Sequence, residues 1–216
     1  PVAVPRPADD PPKLVYVGRL SQEKQMPVLF EAWRSLVQEP ALAPLELHLV
    51  GDGPLRGRLA RSVDNDPRVV FHGPQPYGET IVELLRTADV FVNPSPNEAF
   101  GLAGLEAAAC GLPVIAAARG GPLDVITPEI GRLAVPGDAA SFAHQIRTEL
   151  QQLGTPEAHR AASVRRKWIE QHHSWRLCFA RLLQLYRRMR DAPALNWPPM
   201  PEPTDLQPAP EEAPPS

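Results

Sequence analysis

Residues 94–113 read PSPNEAFGLAGLEAAACGLP, and the residues just before them, DVFVN (89–93), form a short apolar run. That run has strand length, and its Val and Phe suit a pleated, buried surface. The prolines and polar residues of PSPNE cannot prolong it, so the chain turns there. From Gly101 to Cys110 the residues become small and apolar, with Leu102, Leu105 and consecutive alanines, a composition that favours helix. Gly111 and Pro113 stop that helix. The next run, PVIAA (113–117), is again a buried strand. Two buried strands joined through one helix run parallel, because a tight hairpin would need only a short turn between them.

The alternation extends both ways from this unit. KLVYV (13–17), LELHLV (45–50) and residues 68–71 read as strands, as does 131–135 near the other end. Between them, residues 26–37 carry Leu29, Ala32, Trp33 and Leu36 on one helical face, and Pro54 opens a helix through residue 63. Further helices are expected over 80–87, 123–126, 141–153 and 157–190, the last broken near 172–174. The fold class is therefore α/β: a six-stranded, Rossmann-like parallel sheet with helices on both faces. Trp33, Trp168 and Trp175 fall at helical positions and are expected in the core or at helix contacts.

Composition bounds the rest. Among 216 residues, apolar types make up 43% and the net charge is −3, which suits one globular domain and gives no basic stripe for nucleic acid. The Arg-rich stretch 160–190 is interleaved with apolar residues at helical spacing. It reads as a solvated helix face or, alternatively, as a peripheral contact with anionic lipid or an acidic partner. Cys110 and Cys178 lack disulfide or metal spacing, so a reducing, cytoplasmic setting is expected, including the cytosolic face of a membrane. No run approaches the ~18 apolar residues of a membrane span, and no signal-peptide pattern is visible. The chain begins at Pro1 rather than Met, which fits a piece of a longer protein. Residues 1–12 hold five prolines and residues 192–216 nine, too little apolar surface to offset ordering, so both are expected as linkers around a domain at 13–191.

In open parallel sheets ligands bind beyond the carboxyl ends of the strands. Here those ends carry Gly18-Arg19, Gly51-Asp52-Gly53, His72-Gly73, the PSPNE loop and Arg119-Gly120-Gly121. Arg19 and Lys24 suit a pyrophosphate, one as a planar fork and one as a point charge; alternatively they are solvated cations paired with Glu23. Glu98 and Glu106 bracket the amides of Phe100, Gly101 and Leu102, a helix N-terminus favourable to an anion. Two carboxylates around an anion site suit a sugar, a phosphate and a ribose in a row. The bland alternatives are a loop acid for Glu98 and dipole complementarity for Glu106. His72 is the one histidine on the rim, either touching a ligand or filling the loop. No G-x-G-x-x-G or P-loop pattern is present.

The stretch PSPNEAFGLAGLEAAACGLPV resembles the E-x7-E region of the large retaining family of GT-B glycosyltransferases, the glycosyl transferases group 1. VGRLSQEK (17–24), LVGDGP (49–54), VVFHG (69–73), ADVFVNPS (88–95), GRLAVPGD (131–138) and Ser174-Trp175 match the family in order over residues 13–189. The resemblance implies the C-terminal, donor-binding half of a two-domain enzyme. It implies that Gly18, Arg19 and Lys24 hold the donor diphosphate and that Glu98 meets the sugar hydroxyls. It further implies that the amides of Phe100, Gly101 and Leu102 approach phosphate and sugar, and that Glu106 binds the ribose. Residues 71–75, with His72, Gly73 and Gln75, would border the base. Arg19, Lys24 and Glu98 would be the catalytic contribution, in a metal-independent transfer with no cofactor beyond a UDP-sugar or GDP-sugar donor. An N-terminal acceptor-binding domain, in cis or in trans, would be required, and this chain alone would not transfer sugar. Three departures stand out: Gln25 where the family has Gly, Ala108 where Met is common, and Asp124 where Glu is common. The competing readings are a non-catalytic nucleotide-sugar-binding module or partner subunit, and a related sugar-nucleotide epimerase.

Overall fold

The computed structural model describes residues 10–191. The rest of the proline-rich lead and the whole tail at 192–216 lie outside the described residues. Strands β1 (Lys13–Val17), β2 (Glu46–Val50), β3 (Val69–Gly73), β4 (Val90–Asn93), β5 (Val114–Ala117) and β6 (Gly131–Ala134) alternate with helices. The helices are α1 (Met26–Leu36), α2 (Arg56–Ser62), α3 (Glu79–Arg86), α4 (Leu102–Ala109), α5 (Pro122–Val125), α6 (Ala139–Leu150), α7 (Pro156–His172) and α8 (Trp175–Asp191). All six strands are parallel, in the order β3-β2-β1-β4-β5-β6, which is the α/β, Rossmann-like sheet expected.

Strand periodicity sorts the core into two layers. On one face, Leu14, Tyr16, Leu47, Leu49, Val92 and Ile115 pack with Phe30 and Trp33 of α1 and Phe142 and Ile146 of α6. On the other, Val15, Phe91, Val114 and Ala116 pack with Leu105, Ala107 and Ala108 of α4, Leu85 of α3 and Ile169 of α7. β4 and β5 are buried at every position, which explains why their sequences are continuous apolar runs rather than alternating ones. Ala108 is fully buried, so a larger side chain there would need a different helix–sheet spacing.

Some boundaries depart from the sequence reading. α2 starts at Arg56, not Pro54, because the amide of Leu55 is drawn to the carbonyl of Leu20 at 3.0 Å. A 3-10 turn at Pro40–Leu42 was not anticipated. Trp33 is buried, with its indole N–H on the Leu45 carbonyl, and Trp168 packs against the second layer, but Trp175 is 74% exposed and is not a core residue. Contacts divide the chain at Leu177/Cys178. The described part of the second unit is the remainder of α8, with Phe179, Leu182, Leu183 and Tyr186 at helical spacing. Among the described residues no helix is long and apolar enough to cross a membrane.

A buried ionic cluster ties the last helices of the first unit to the sheet. Glu149 of α6 accepts from Arg132 Nε of β6 at 2.6 Å, and Arg165 of α7 lies 3.6 Å from its other oxygen. Arg165 also donates to the Gly111 carbonyl at the end of α4, and burial pulls its guanidinium below its ordinary value. Replacing Glu149 by Ala strands a buried cation, at a cost of about 3 kcal/mol. Arg132→Ala, whose side chain is 40% exposed, should cost clearly less. Urea unfolding midpoints check this; equal losses would contradict the cluster's role.

Candidate functional site

The order β3-β2-β1-β4-β5-β6 reverses the direction of winding between β1 and β4, so the loops leaving those two strands diverge and open a crevice. The β1 loop carries Gly18, Arg19 and Lys24; the β4 loop carries Glu98. Across the crevice Lys24 Nζ donates to Glu98 Oε1 at 2.5 Å, and both side chains are largely shielded. Glu23, the partner weighed for the cations in the sequence, has its carboxyl lowered first by the neighbouring Ser21 hydroxyl and its own backbone amide, and only then by Arg19 and Lys24.

Each loop is held by backbone contacts. The buried phenol of Tyr16 donates to the Arg19 carbonyl at 2.9 Å, and burial together with the Glu98 charge raises its pKa. Gly18 N–H bonds the Val50 carbonyl and Leu20 N–H the Asp52 carbonyl. This close packing of two loops requires Gly51, at φ 127°, because a Cβ there would fall 2.0 Å from the Gly18 oxygen. The Arg19 backbone is thus fixed while its side chain is exposed. Gln25 adopts the left-handed conformation that glycine takes most readily, at φ 49°, and α1 starts directly after it at Met26. The departure at Gln25 therefore leaves the turn that presents Lys24 intact.

On the β4 side, the Ser95 amide bonds the Asn93 side chain and the Asn97 amide bonds the Ser95 hydroxyl, so PSPN is a chain of side-chain-capped turns. The Glu98 carbonyl accepts from Gly121 N–H at 2.8 Å. A Cβ on Gly121 would sit 2.2 Å from the Ala99 oxygen, so the loop after β5 backs directly onto the Glu98 loop. Gly101, in the left-handed conformation, starts α4, and no side chain caps that end. Phe100 and Leu102 beside it are half-exposed.

Glu106 lies one turn further along α4 and accepts from the Tyr77 phenol at 2.7 Å. That bond raises the Tyr77 pKa. The loop carrying Tyr77 leaves β3, where the Gln75 amide donates to the His72 carbonyl. The His72 ring stacks on His48, with Nε2 2.9 Å from His48 Nδ1, and His48 Nε2 meets Glu46 at 2.8 Å. A carboxylate only accepts, so the proton sits on His48 Nε2, and His72 Nε2–H donates to His48. The structure thus joins Lys24 to Glu98, and Glu106 to the loop of Gln75. Among the described residues no hydrogen bond or ion pair links the Arg19 side chain or His72 to either glutamate, and no group of three or more His, Cys, Asp or Glu side chains could hold a metal. The sequence reading missed Tyr77. The available signal was an aromatic residue between Pro76 and Gly78 on a rim loop.

A sequence model of the family described as Glycosyl transferases group 1 matches residues 11–152, which spans the whole sheet and the site. The chain belongs to this family. The GDP-mannose-dependent alpha-(1-6)-phosphatidylinositol dimannoside mannosyltransferase of Mycobacterium tuberculosis is 36% identical over 154 residues, 71% of this chain and 39% of that protein. Sucrose-phosphate synthase from Thermosynechococcus elongatus has 32% identity and a TM-score of 0.69 over 86% of this chain and 47% of its own. Anabaena HepE, solved in complex with UDP, has 25% identity and a TM-score of 0.69 over 82% of this chain and 49% of its own. The chain spans less than half the length of each of these glycosyltransferase-family relatives.

Burial, and then His48, hold the His72 imidazole below its ordinary value. A group whose folded pKa is depressed resists protonation that the unfolded chain accepts. Its contribution is full above about pH 6.5 and is lost as pH falls from there through the folded value. Melting temperature should therefore drop between about pH 7.5 and about pH 5.5, and His72→Asn should show a smaller drop. An unchanged pH slope in the variant, by scanning calorimetry, would contradict this.

Proposed function

We propose that this chain is the donor-binding domain of a retaining glycosyltransferase, which moves a sugar from a nucleoside diphosphate to an acceptor hydroxyl. The observation that carries the reading is the meeting of Lys24 and Glu98 across the crevice between β1 and β4. A cation beside a carboxylate is the pair needed where a sugar joins a diphosphate. The carboxylate accepts from sugar hydroxyls, and the cation faces phosphate oxygens. Arg19 adds a second cation on the same loop, and the uncapped start of α4 at Gly101 adds amide donors. Glu106 takes the ribose, and the loop with His72, Gly73 and Gln75 borders the base. The names of the relatives support a diphosphate donor, since one is GDP-mannose-dependent and another binds UDP.

In this reading the bond from the anomeric carbon to the diphosphate breaks, and its electron pair passes to the phosphate oxygen. Arg19, Lys24 and the amides from Phe100 to Leu102 hold the charge that develops there, which lets transfer proceed without a metal. The hydroxyl oxygen of an acceptor, held by an N-terminal domain in the same chain or a partner, forms the new bond to the anomeric carbon, and its proton passes to the departing diphosphate. Holding two reactants together supplies much of the rate, so the 216 residues alone bind donor without transferring sugar. The phosphatidylinositol dimannoside in one relative's name favours work at a membrane surface.

Calorimetry with GDP and UDP in the presence of a chelator tests the reading. One of them should bind, and Arg19→Ala and Lys24→Ala should each weaken it by about 10-fold or more, the worth of a charge-assisted hydrogen bond. Unchanged affinity in both variants would overturn the diphosphate site. Addition of the acceptor domain should restore transfer with the anomeric configuration retained; inverted product would refute the retaining mechanism.

A further inference from the structure

Tyr77 is 84% exposed, more than any other large apolar or aromatic side chain among the described residues. Its hydroxyl is nonetheless fixed, donating to Glu106 Oε1 at 2.7 Å across the gap between the β3 loop and α4. Packing does not explain such a residue, because its ring contributes little buried area. The loop that presents it is anchored just upstream by the Gln75 amide on the His72 carbonyl. Just downstream, Gly78 at φ 129° lets the chain turn into α3. The phenol is therefore held over α4 from a short, tethered loop.

The bond also leaves Glu106 free to bind something else. An ionised carboxylate has two oxygens and about four acceptor positions. Tyr77 uses one, and a vicinal diol needs two. A ribose can bind Glu106 without displacing the phenol, and the phenol then restricts the rotamers in which the carboxylate waits. The open ring face beside that carboxylate is where the base of a nucleoside would extend, and aromatic faces stack on bases of any identity.

We propose that Tyr77 is a positioning residue for Glu106 and the aromatic platform for the nucleoside: its hydroxyl holds the carboxylate toward the ribose diol and its ring receives the base. This rests on the assignment of Glu106 to the ribose under the function proposed above.

The test is calorimetry on the full chain with whichever of GDP and UDP binds more tightly, beside its 2′,3′-dideoxy counterpart. Tyr77→Phe should weaken the ribonucleotide by about 10-fold and leave the dideoxynucleotide unchanged, because only the diol depends on the placed carboxylate. Tyr77→Ala should weaken both, since the ring is lost as well. Tyr77→Phe binding like the native chain, or losing equally on both nucleotides, would overturn the positioning role. Tyr77→Ala matching Tyr77→Phe on the dideoxynucleotide would overturn the platform. Glu106→Gln separates the two levels. If it weakens the ribonucleotide while Tyr77→Phe does not, this proposal falls and the ribose assignment stands. If the native chain binds neither nucleotide, both fall.

Discussion

The reversal of strand order between β1 and β4 is the constraint on which the site depends. The chain winds outward from β1 to the edge strand β3, crosses back to β4 and winds outward again to β6. The two loops at the reversal point leave in different directions, so no backbone fills the gap between them. Side chains have to meet there instead, and Lys24 and Glu98 do. The pair is not a surface ornament, because both members are shielded and each sits on a loop whose backbone is tied down elsewhere.

That tying-down shows in what the loops lack. Gly51 and Gly121 stand where a single methyl group would collide with a carbonyl oxygen of the neighbouring loop. The loop after β2 therefore braces Gly18-Arg19, and the loop after β5 braces Glu98-Ala99. Burial of β4 and β5 on both faces keeps the strands beneath from shifting. Rigid strands, braced loops and a few converging side chains form one mechanical series, running from apolar sequence to a preorganised crevice.

Much of this was legible in the sequence because each feature has a local cause. Apolar runs of strand length gave β1, β4 and β5, and proline with glycine gave the turn at PSPNE and the stop after α4. The break between α7 and α8 was readable from His172 to Ser174. What was not legible depends on distant atoms. The start of α2 moved to Arg56 because Leu20, far back in the chain, claims the Leu55 amide. Arg165 looked like part of a solvated basic face, yet it is buried against Glu149 and Gly111. The pairing of His72 with His48 depends on strand register, and that of Tyr77 with Glu106 on loop placement; neither leaves a mark in spacing. Trp175 fits a helical face by position but is 74% exposed.

The proposed function sets a diphosphate at Lys24 beside a sugar at Glu98. The Glu98 carboxylate lies against Lys24 and adds negative charge beside the proposed phosphate position. The most direct measurement is the affinity of Glu98→Gln for bare GDP or UDP compared with the corresponding nucleotide sugar. The bare nucleotide should bind at least as tightly as it does to the native chain, while the nucleotide sugar should lose the advantage its hydroxyls gave it. A loss of about 10-fold or more for the bare nucleotide would contradict it, since Glu98 would then belong to the nucleotide and not to the sugar.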